Sequence, residues 1–333
     1  MNNPIIAEVT RGSIVESRHR GSYVVCDING QVVLSAGDLK SPIFPRSAIK
    51  AFQCLPMIES GAADAFGFND EEIALCCSSH NGEAEHVRVA RSILAKCQID
   101  EACYECGAHY PSFKEAADDL VRHDEKPQQV HNNCSGKHAG MLALAKQLGA
   151  GSKDYVKLDH PVQKAIAKTI EKLCEVDLSK ASVGVDGCSV PTWAMPLHNM
   201  ALGFAKLSDK TNPTFHRIIH AVRSNPFMIA GSGRFDTRVM QAVPRIFMKF
   251  GAEGVFCGCI PHAGLGFAVK CDDGAARAVE VAMISVALKL DVWTSEEREK
   301  LLGFQHEKLI NWRKIEVGEL RGMPELESAM PKI

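Results

Sequence analysis

A serine and a lysine stand three positions apart early in the chain, at Ser47 and Lys50 in the segment FPRSAIK of residues 44–50. On a helix, positions i and i+3 share a face, so the Lys50 amine can reach the Ser47 hydroxyl and accept its proton. Because a free lysine has a pKa of about 10.4, such a base needs burial or a nearby positive charge to favour its neutral form. The pair predicts a serine nucleophile, although S-x-x-K alone is more often a helix with a solvated lysine.

A run of small and polar residues, SSHNGE at 78–83, follows an apolar stretch at 73–77. The apolar stretch indicates a buried strand and the residues after it a helix, so the polar run is expected at a strand-to-helix junction. Such a junction exposes hydroxyl, imidazole and amide groups at the end of a sheet, where ligands often bind. The alternative is a plain turn in which Ser79 or Asn81 caps the following helix.

Two cysteine-containing segments have the character of metal sites, NNCSGKH at 132–138 and DGCSVP at 186–191. Two thiolates and one nitrogen suit Zn²⁺, and Cys134 and His138, one helical turn apart, are the conventional ligands to join Cys188. The spacing is only moderately specific, because the chain has 13 cysteines and some of them will be neighbours by chance. Buried, unreactive thiols are therefore the alternative.

Two further segments contain residues that could line a binding site. The glycine-rich segment AGSGRFDT at 230–237 lacks the lysine of a P-loop and follows no predicted strand, which excludes both common nucleotide motifs. Lys270 lies in the apolar strand GLGFAVKC at 264–271, on the same face as Gly266 and Ala268. Those small neighbours leave room for a buried amine or a ligand, whereas a solvated lysine at a strand end is the alternative.

The elements expected to position these residues are strands at both ends of the chain and helices between them. Alternating apolar residues predict antiparallel strands at 5–10, 13–18, 22–27 and 31–36, with a tight hairpin at Asn29-Gly30. Two more strands are predicted at 254–260 and 265–271. The helical period predicts a helix that begins after Pro45, includes Ser47 and ends near residue 60, and further helices at 136–148, 161–174, 213–224, 234–250 and 275–290. This order predicts an α+β fold in which both chain ends share one sheet.

Composition limits the class of protein. The chain of 333 residues carries 38 basic and 40 acidic residues, a net charge of -2, which argues against nucleic-acid or membrane binding by bulk charge. No stretch approaches the roughly 20 apolar residues of a membrane span, and residues 1–10 do not resemble a secretion signal. An odd number of scattered cysteines, 13, is typical of reduced thiols, so a cytoplasmic location is predicted.

No linker or repeat divides the sequence. We therefore predict a single catalytic unit over residues 1–333 with two interleaved parts. The sheet-containing part takes about 1–80 and 225–333, and a mainly helical part takes about 81–224.

The motifs together resemble the rhizobial-type, or class 3, L-asparaginase family, in family order from residue 6 to about 290. They are EVTRG (8–12), VESRHRG (15–21), FPRSAIK (44–50), SSH (78–80), NCSGKH (133–138), VDGC (185–188), GRFDT (233–237) and K-x-x-D-G (270–274). This family is related in fold to serine β-lactamases, penicillin-binding proteins and serine-dependent glutaminases. The resemblance implies an antiparallel sheet built from both chain ends, packed with helices, beside a helical subdomain.

The resemblance also implies that a homodimer hydrolyses L-asparagine to L-aspartate and ammonia with two Ser-Lys tandems. These tandems are Ser47 with Lys50, and Ser79 with Lys270, of which Lys270 is matched only by its strand. The implied zinc ligands are Cys134, Lys137 and Cys188, so the family replaces the conventional His138 by a lysine. Arg46, as a partner for the substrate carboxylate, is expected in the substrate pocket with His80, His138 and Asp186.

The expected chemistry is acyl transfer, in which a serine attacks the side-chain amide and water then cleaves an aspartyl ester. Ser47 is the preferred nucleophile over Ser79, and an orienting role is preferred for zinc over a structural one. The alternatives are a serine-dependent glutaminase or β-lactamase-like hydrolase, an amidohydrolase in which zinc-bound hydroxide attacks, and a metal-binding protein without enzymatic activity.

Overall fold

An antiparallel sheet is formed by strands from both ends of the chain. The computed structural model describes residues 3–322. Within them the strands are β1 (Ile5–Arg11), β2 (Ile14–Asp27), β3 (Val32–Ala36), β4 (Pro42–Ile43), β5 (Val183–Val185), β6 (Pro191–Trp193), β7 (Met195–Pro196), β8 (Phe247–Gly251), β9 (Val255–Ile260), β10 (Leu265–Cys271), β11 (His306–Ile310) and β12 (Glu316–Gly322). The main sheet has the order β11-β12-β1-β2-β10-β9-β8, with β3 also paired to β2.

The long strand β2 joins the two halves of this sheet. Its first half pairs with β1, and its second half pairs with β10 on one side and β3 on the other. Sequence analysis predicted two separate strands here, but Gly21 allows the backbone to continue. A Cβ at Gly21 would lie 2.1 Å from the Lys270 carbonyl oxygen, so only glycine permits this close approach. The predicted Asn29-Gly30 hairpin is confirmed, with Gly30 at a φ of 79°.

Helices cover the sheet and fill the middle of the chain. In the described residues the α-helices are α1 (Lys50–Glu59), α2 (Ala62–Ala65), α3 (Asp70–Cys76), α4 (Ala84–Lys96), α5 (Lys114–Arg122), α6 (Ser135–Gln147), α7 (Pro161–Cys174), α8 (Leu197–Leu207), α9 (Pro213–Ser224), α10 (Pro226–Ala230), α11 (Phe235–Ala242), α12 (Ala276–Leu288) and α13 (Ser295–Leu302). None of the helices in residues 3–322 is both long and apolar enough to cross a membrane.

Helix α8 packs on β10, β2 and β9, while α12 packs on β1, β12 and β10. Gly266 makes the first contact close, because a Cβ there would lie 2.1 Å from the Ala201 carbonyl oxygen of α8. The fold class is thus α+β, as predicted, with an antiparallel sheet from both chain ends. Residues 1–2 and 323–333 of the predicted sheet-containing part lie outside the described residues.

Two predicted elements near the chemistry were wrong. Residues 73–76 belong to helix α3 instead of a strand, with Cys77 as its C-cap, and a capping box between Asn69 and Glu72 starts that helix. The predicted helix at 234–250 is α11 followed by strand β8. Pro244 explains the break, because proline cannot supply the amide hydrogen that a continuing helix requires.

Candidate active site

Ser47 lies in a single 3₁₀ turn, Arg46–Ile49, that leads into α1. Arg46 starts the turn with a φ of 51°, a left-handed conformation that costs a bulky residue on the order of 1–3 kcal/mol. The edge strand β8 packs directly against this turn. A Cβ at Gly251 would lie 2.8 Å from the Pro45 carbonyl oxygen and 2.9 Å from the Ala48 nitrogen. The strained turn is therefore held by close backbone packing, and Ser47 stays half-buried beside β8.

Lys50 is fully buried at the start of α1. Its Nζ donates hydrogen bonds to the Ser78 carbonyl oxygen and, over 3.1 Å, to Cys134 Sγ. Neither bond goes to the Ser47 hydroxyl, which the sequence had suggested as its partner. Lys50 instead connects three segments that are far apart in the chain: α1, the SSHNGE segment and the first cysteine segment.

The SSHNGE segment connects α3 to α4 and carries two buried hydroxyl groups. Within residues 3–322, neither Ser78 Oγ nor Ser79 Oγ has a hydrogen-bond partner. The backbone is fixed, because the Ser79 amide donates to the Ile229 carbonyl oxygen over 2.9 Å and the His80 amide to that of Asn133 over 3.1 Å. An unpartnered buried hydroxyl is costly unless a ligand completes its hydrogen bonding. This supports a place for Ser79 at a binding site.

His80 is buried within the same segment, and both of its ring nitrogens are engaged. Nδ1 accepts from the Gly82 amide over 3.0 Å, so Nε2 carries the hydrogen and donates to Ser135 Oγ over 2.9 Å. Burial, helped by the charge of nearby residues, lowers the pKa of His80 well below its ordinary value and keeps the ring neutral. In this structure His80 therefore fixes the SSHNGE segment to the start of α6 and leaves no nitrogen for a substrate.

The glycine-rich segment supports the same region. Ser232 donates from its amide and its hydroxyl to the two carboxylate oxygens of Glu83, over 2.8 and 2.7 Å. At Gly231, with a φ of 108°, a Cβ would lie 2.4 Å from Glu83 Oε1. The glycines thus permit a tight turn against the SSHNGE segment, in keeping with the exclusion of a nucleotide motif.

Lys249, on β8, is a second fully buried lysine that sequence analysis missed. Residues 249 and 251 lie on the same face of the strand, and Gly251 contacts the Ser47 turn, so Lys249 faces that turn as well. Its Nζ donates to the Phe250 carbonyl oxygen over 2.8 Å. Burial, together with the positive charge of Lys50, lowers its pKa to about 7 against the opposing effect of Asp236. Lys249 is therefore available as a base near neutral pH.

Lys270 has different surroundings. Its Nζ donates to the carbonyl oxygens of Glu253, over 2.7 Å, and Cys271. The small residues on the same face of β10 predict room for a ligand. In the structure helix α8 packs closely against this face at Gly266. The structure does not bring Lys270 into hydrogen bonding with Ser79, whereas Lys249 lies on the strand that packs against the Ser47 turn.

Cys134, Lys137 and Cys188 meet in a buried cluster. Lys137 Nζ donates to Cys188 Sγ over 3.0 Å. The hydrogen bond from Cys134, with the charges of Lys137 and Lys50, lowers the pKa of Cys188 to about 5 despite burial. The same bond and burial raise the pKa of Cys134 to about 12. Burial opposes the charge of Lys137, but its interactions with Cys188, Cys134 and Asp186 outweigh burial and raise its pKa.

This donor set fits a zinc ion. Two sulfur atoms and one amine nitrogen already converge, the lowered pKa of Cys188 favours its thiolate, and Lys137 would have to release its proton to become a ligand. His138, the conventional ligand, instead interacts through Nδ1 with the Tyr155 hydroxyl over 2.7 Å. That hydroxyl accepts from the Glu105 amide, so it donates its own hydrogen to His138. Within residues 3–322, His138 Nε2 is buried without a partner.

Arg46 and Asp186 form an ion pair at the more open side of the cluster. Arg46 Nε donates to Asp186 Oδ1 over 2.8 Å, and the two side chains are 27% and 11% exposed. Asp186 precedes Cys188 in the loop between β5 and β6. Burial opposes ionisation, but Lys137 and Arg46 hold the pKa of Asp186 below its ordinary value. A cation and an anion side by side are complementary to the two charged α-substituents of an amino acid.

The depressed pKa of Lys249 makes a prediction about stability. The unfolded chain keeps a proton on this lysine up to about pH 10.4, while the folded protein releases it near pH 7. Between these values the unfolded state binds more protons, so the free energy of unfolding rises with pH, by up to about 1.4 kcal/mol per unit. Lys249→Met removes this contribution. Urea denaturation should show that the free energy of unfolding of Lys249→Met exceeds that of the wild type by less at pH 10 than at pH 7. The same pH dependence in both proteins would contradict the lowered pKa of Lys249.

Comparison with known proteins identifies the family. The sequence profile of the family described as L-asparaginase II matches residues 7–322. A search of curated proteins found no match. Solved structures similar to this chain include Mglu in its native form, at 14% identity over 88% of this chain and 70% of that chain, with a TM-score of 0.38.

A second structure of Mglu is 13% identical over 83% of this chain and 69% of that chain, with a TM-score of 0.36. A β-lactamase from Mycobacterium bovis, Mb2281c, is 11% identical over 85% and 94%, with a TM-score of 0.26. The family assignment rests on the profile, which spans nearly the whole described chain and agrees with the motif resemblance. The chain therefore belongs to the L-asparaginase II family and is an amidohydrolase of the L-asparaginase type.

Proposed function

We propose that this protein hydrolyses L-asparagine to L-aspartate and ammonia through an aspartyl ester on Ser47. The observation that carries the proposal is the meeting of two fully buried lysines, Lys249 and Lys50, around the turn of Ser47 and the segment of Ser79. Burying two lysines is costly, and an amine with a pKa of about 7 is matched to proton transfer at neutral pH. The family membership supports amide hydrolysis as the reaction.

In the proposed reaction, Ser47 Oγ attacks the side-chain amide carbon while neutral Lys249 accepts the hydroxyl proton. The C–N bond then breaks, the lysine returns the proton to the leaving nitrogen, and ammonia departs. Water attacks the ester, again losing a proton to Lys249, and Ser47 regains its hydrogen as aspartate leaves. Lys50 contributes positive charge that favours neutral Lys249, and Ser79 offers a hydroxyl for the proton relay.

The second tandem is accordingly proposed as Ser79 with Lys249, in the place that the motif match gave to Lys270. Lys270 and Lys249 lie on different strands of the same sheet. The motif match identified Lys270 only by its position in a strand, and this criterion does not distinguish the two lysines. The contact of Gly251 with the Ser47 turn supports Lys249.

Substrate binding is proposed at the open side of the cluster. The Arg46 guanidinium is placed to bind the α-carboxylate of asparagine, and Asp186 to bind the α-ammonium group. The unpartnered Nε2–H of His138 would donate to a bound polar group, and His80 would act by holding Ser135 and the SSHNGE segment.

Cys134, Lys137 and Cys188 are proposed to hold zinc, which when bound would supply a positive charge that attracts and orients polar groups of the substrate. The ionised Cys188 thiol supports this assignment. A homodimer, as in the resembling family, and a cytoplasmic location complete the proposal. The free state of all 13 cysteines supports a reducing compartment.

Ammonia release from L-asparagine and L-glutamine, with and without added zinc, tests the proposal. We expect selectivity for asparagine by a factor of about 10–200, because the pocket must exclude only one methylene group. In Cys188→Ala, bound zinc should fall and the KM for asparagine should rise, since a ligand that orients the substrate is lost. Cys103→Ser, at a half-buried thiol elsewhere, is the matched control. Equal or faster glutamine hydrolysis would favour a glutaminase, and no release from either amide would refute the proposal.

A further inference from the structure

Three side chains with metal-binding atoms meet at one end of the main sheet, outside the candidate active site. His19 lies on β2, Cys271 is the last residue of β10, and Asp273 lies in the turn that follows. One ligand atom from each lies within 4.8 Å of the other two. His19 Nδ1 is 2.6 Å from Asp273 Oδ2, and Cys271 Sγ donates to Asp273 Oδ1 over 2.9 Å. The carboxylate is thus the common acceptor for a ring nitrogen and a thiol.

Rigid backbone holds this cluster in place. Cys271 pairs with Gly21 across the two strands, and the absence of a side chain at Gly21 lets the strands approach closely. Asp273 is fixed by a further hydrogen bond, because its Oδ1 also accepts from the Ala275 amide at the start of α12. Sites built on strands and tight turns preserve ligand geometry better than sites on long loops.

The three side chains differ in exposure, and the difference leaves a route by which a metal ion can enter. The Cys271 side chain is fully buried, and the His19 side chain is 7% exposed, whereas that of Asp273 is 51% exposed. An ion can therefore enter from the carboxylate side. Within residues 3–322, the other ring nitrogen of His19, Nε2, is buried and has no partner, so all polar contacts of this ring are directed into the cluster.

A catalytic cysteine is the alternative use of these residue types, and the geometry argues against it. The thiol donates to the carboxylate and not to the imidazole, so the group placed to accept its proton is a carboxylate, a much weaker base than an imidazole. Burial and the nearby carboxylate raise the pKa of Cys271 to about 12, whereas reactive cysteines have lowered values.

We propose that His19, Cys271 and Asp273 form a binding site for one divalent transition-metal ion of the zinc class, distinct from the cysteine-lysine cluster. Sulfur, nitrogen and oxygen donors from three side chains, with one position left for water, match a three-ligand zinc site. On binding, the thiol proton passes to solvent and the imidazole hydrogen moves from Nδ1 to Nε2. The metal takes the place of the two hydrogens that now connect these groups to Asp273.

The test uses the full chain carrying Cys134→Ser and Cys188→Ser, so that the cysteine-lysine cluster cannot contribute a thiolate. Titration with Co²⁺ should give one bound ion per chain with a thiolate-to-cobalt absorption band, and Zn²⁺ should displace it. Adding Cys271→Ser should abolish the band. Adding Asp273→Asn should weaken binding by more than the roughly 10–100-fold cost of losing a supporting contact. Cys103→Ser is the control and should leave the band unchanged.

The absence of a thiolate-to-cobalt band in the variant with Cys134→Ser and Cys188→Ser, or a band that survives Cys271→Ser, would overturn the proposal. A second measurement avoids dependence on how those variants fold. In otherwise wild-type protein, Asp273→Asn, at a half-exposed side chain, should lower the zinc content by one ion per chain. Unchanged content would also overturn the proposal. A loss in Asp273→Asn without any loss in Cys188→Ser would instead support this site and refute the active-site zinc.

Discussion

Replacing Ser47 by alanine should lower the kcat for L-asparagine hydrolysis by about 10³-fold or more, because the variant lacks the oxygen that forms the ester. The half-buried position of Ser47 in the turn Arg46–Ile49 makes the substitution structurally mild, since the hydroxyl contributes no hydrogen bond to the described fold. Ammonia release measures the rate. Rapid acid quenching followed by mass spectrometry should find an aspartyl adduct on the wild-type peptide that contains Ser47.

Two variants sharpen the result. Ser60→Ala, at the end of α1, is the matched control and should keep near-wild-type activity, because its hydroxyl only caps the Met57 carbonyl. Ser79→Ala should slow the reaction while leaving the adduct on Ser47. An adduct on Ser79 would reverse the assignment of nucleophile. Nearly full activity in Ser47→Ala, together with its loss in Cys188→Ala, would favour attack by zinc-bound hydroxide.

Replacing Lys249 by glutamine should lower kcat by about 10²–10⁴-fold, the usual contribution of a general base. The wild-type kcat/KM should rise with pH through about pH 7, because Lys249 must lose its proton before it can accept one from Ser47. In the variant this rise should disappear. Steady-state ammonia release between pH 5.5 and 9 provides both the rate and the profile.

Lys270→Gln is the matched control, since it removes a lysine from another strand of the same sheet. Its two hydrogen bonds go to the Glu253 and Cys271 carbonyl oxygens and to no residue of the proposed active site, so we expect activity within about twofold of the wild type. The opposite ranking, with Lys270→Gln inactive and Lys249→Gln active, would restore the tandem that the motif resemblance implied. Circular dichroism of both variants distinguishes lost chemistry from lost folding.

The sequence predicted local structure well where the pattern of apolar and polar residues was unbroken. Alternation and the Asn29-Gly30 turn located the β2–β3 hairpin, and the apolar strands at each chain end indicated a shared sheet. It failed at residues 234–250, because a strand of apolar residues has no periodicity that separates it from a buried helix. Pro244 was the available signal for a break. Missing that break concealed Lys249 within a predicted helix.

Sequence alone determined the α+β fold class, the family and the residue types of the site, because motifs and hydrophobic periods are local properties of the chain. Only the tertiary structure decided which charged groups meet. Strand β8 brings Lys249 beside the Ser47 turn because Gly251 allows close packing there, and Arg46 meets Asp186 across 140 positions of sequence. Such contacts depend on how strands and helices pack, and the pKa of a buried group depends on those neighbours, which no spacing along the chain specifies.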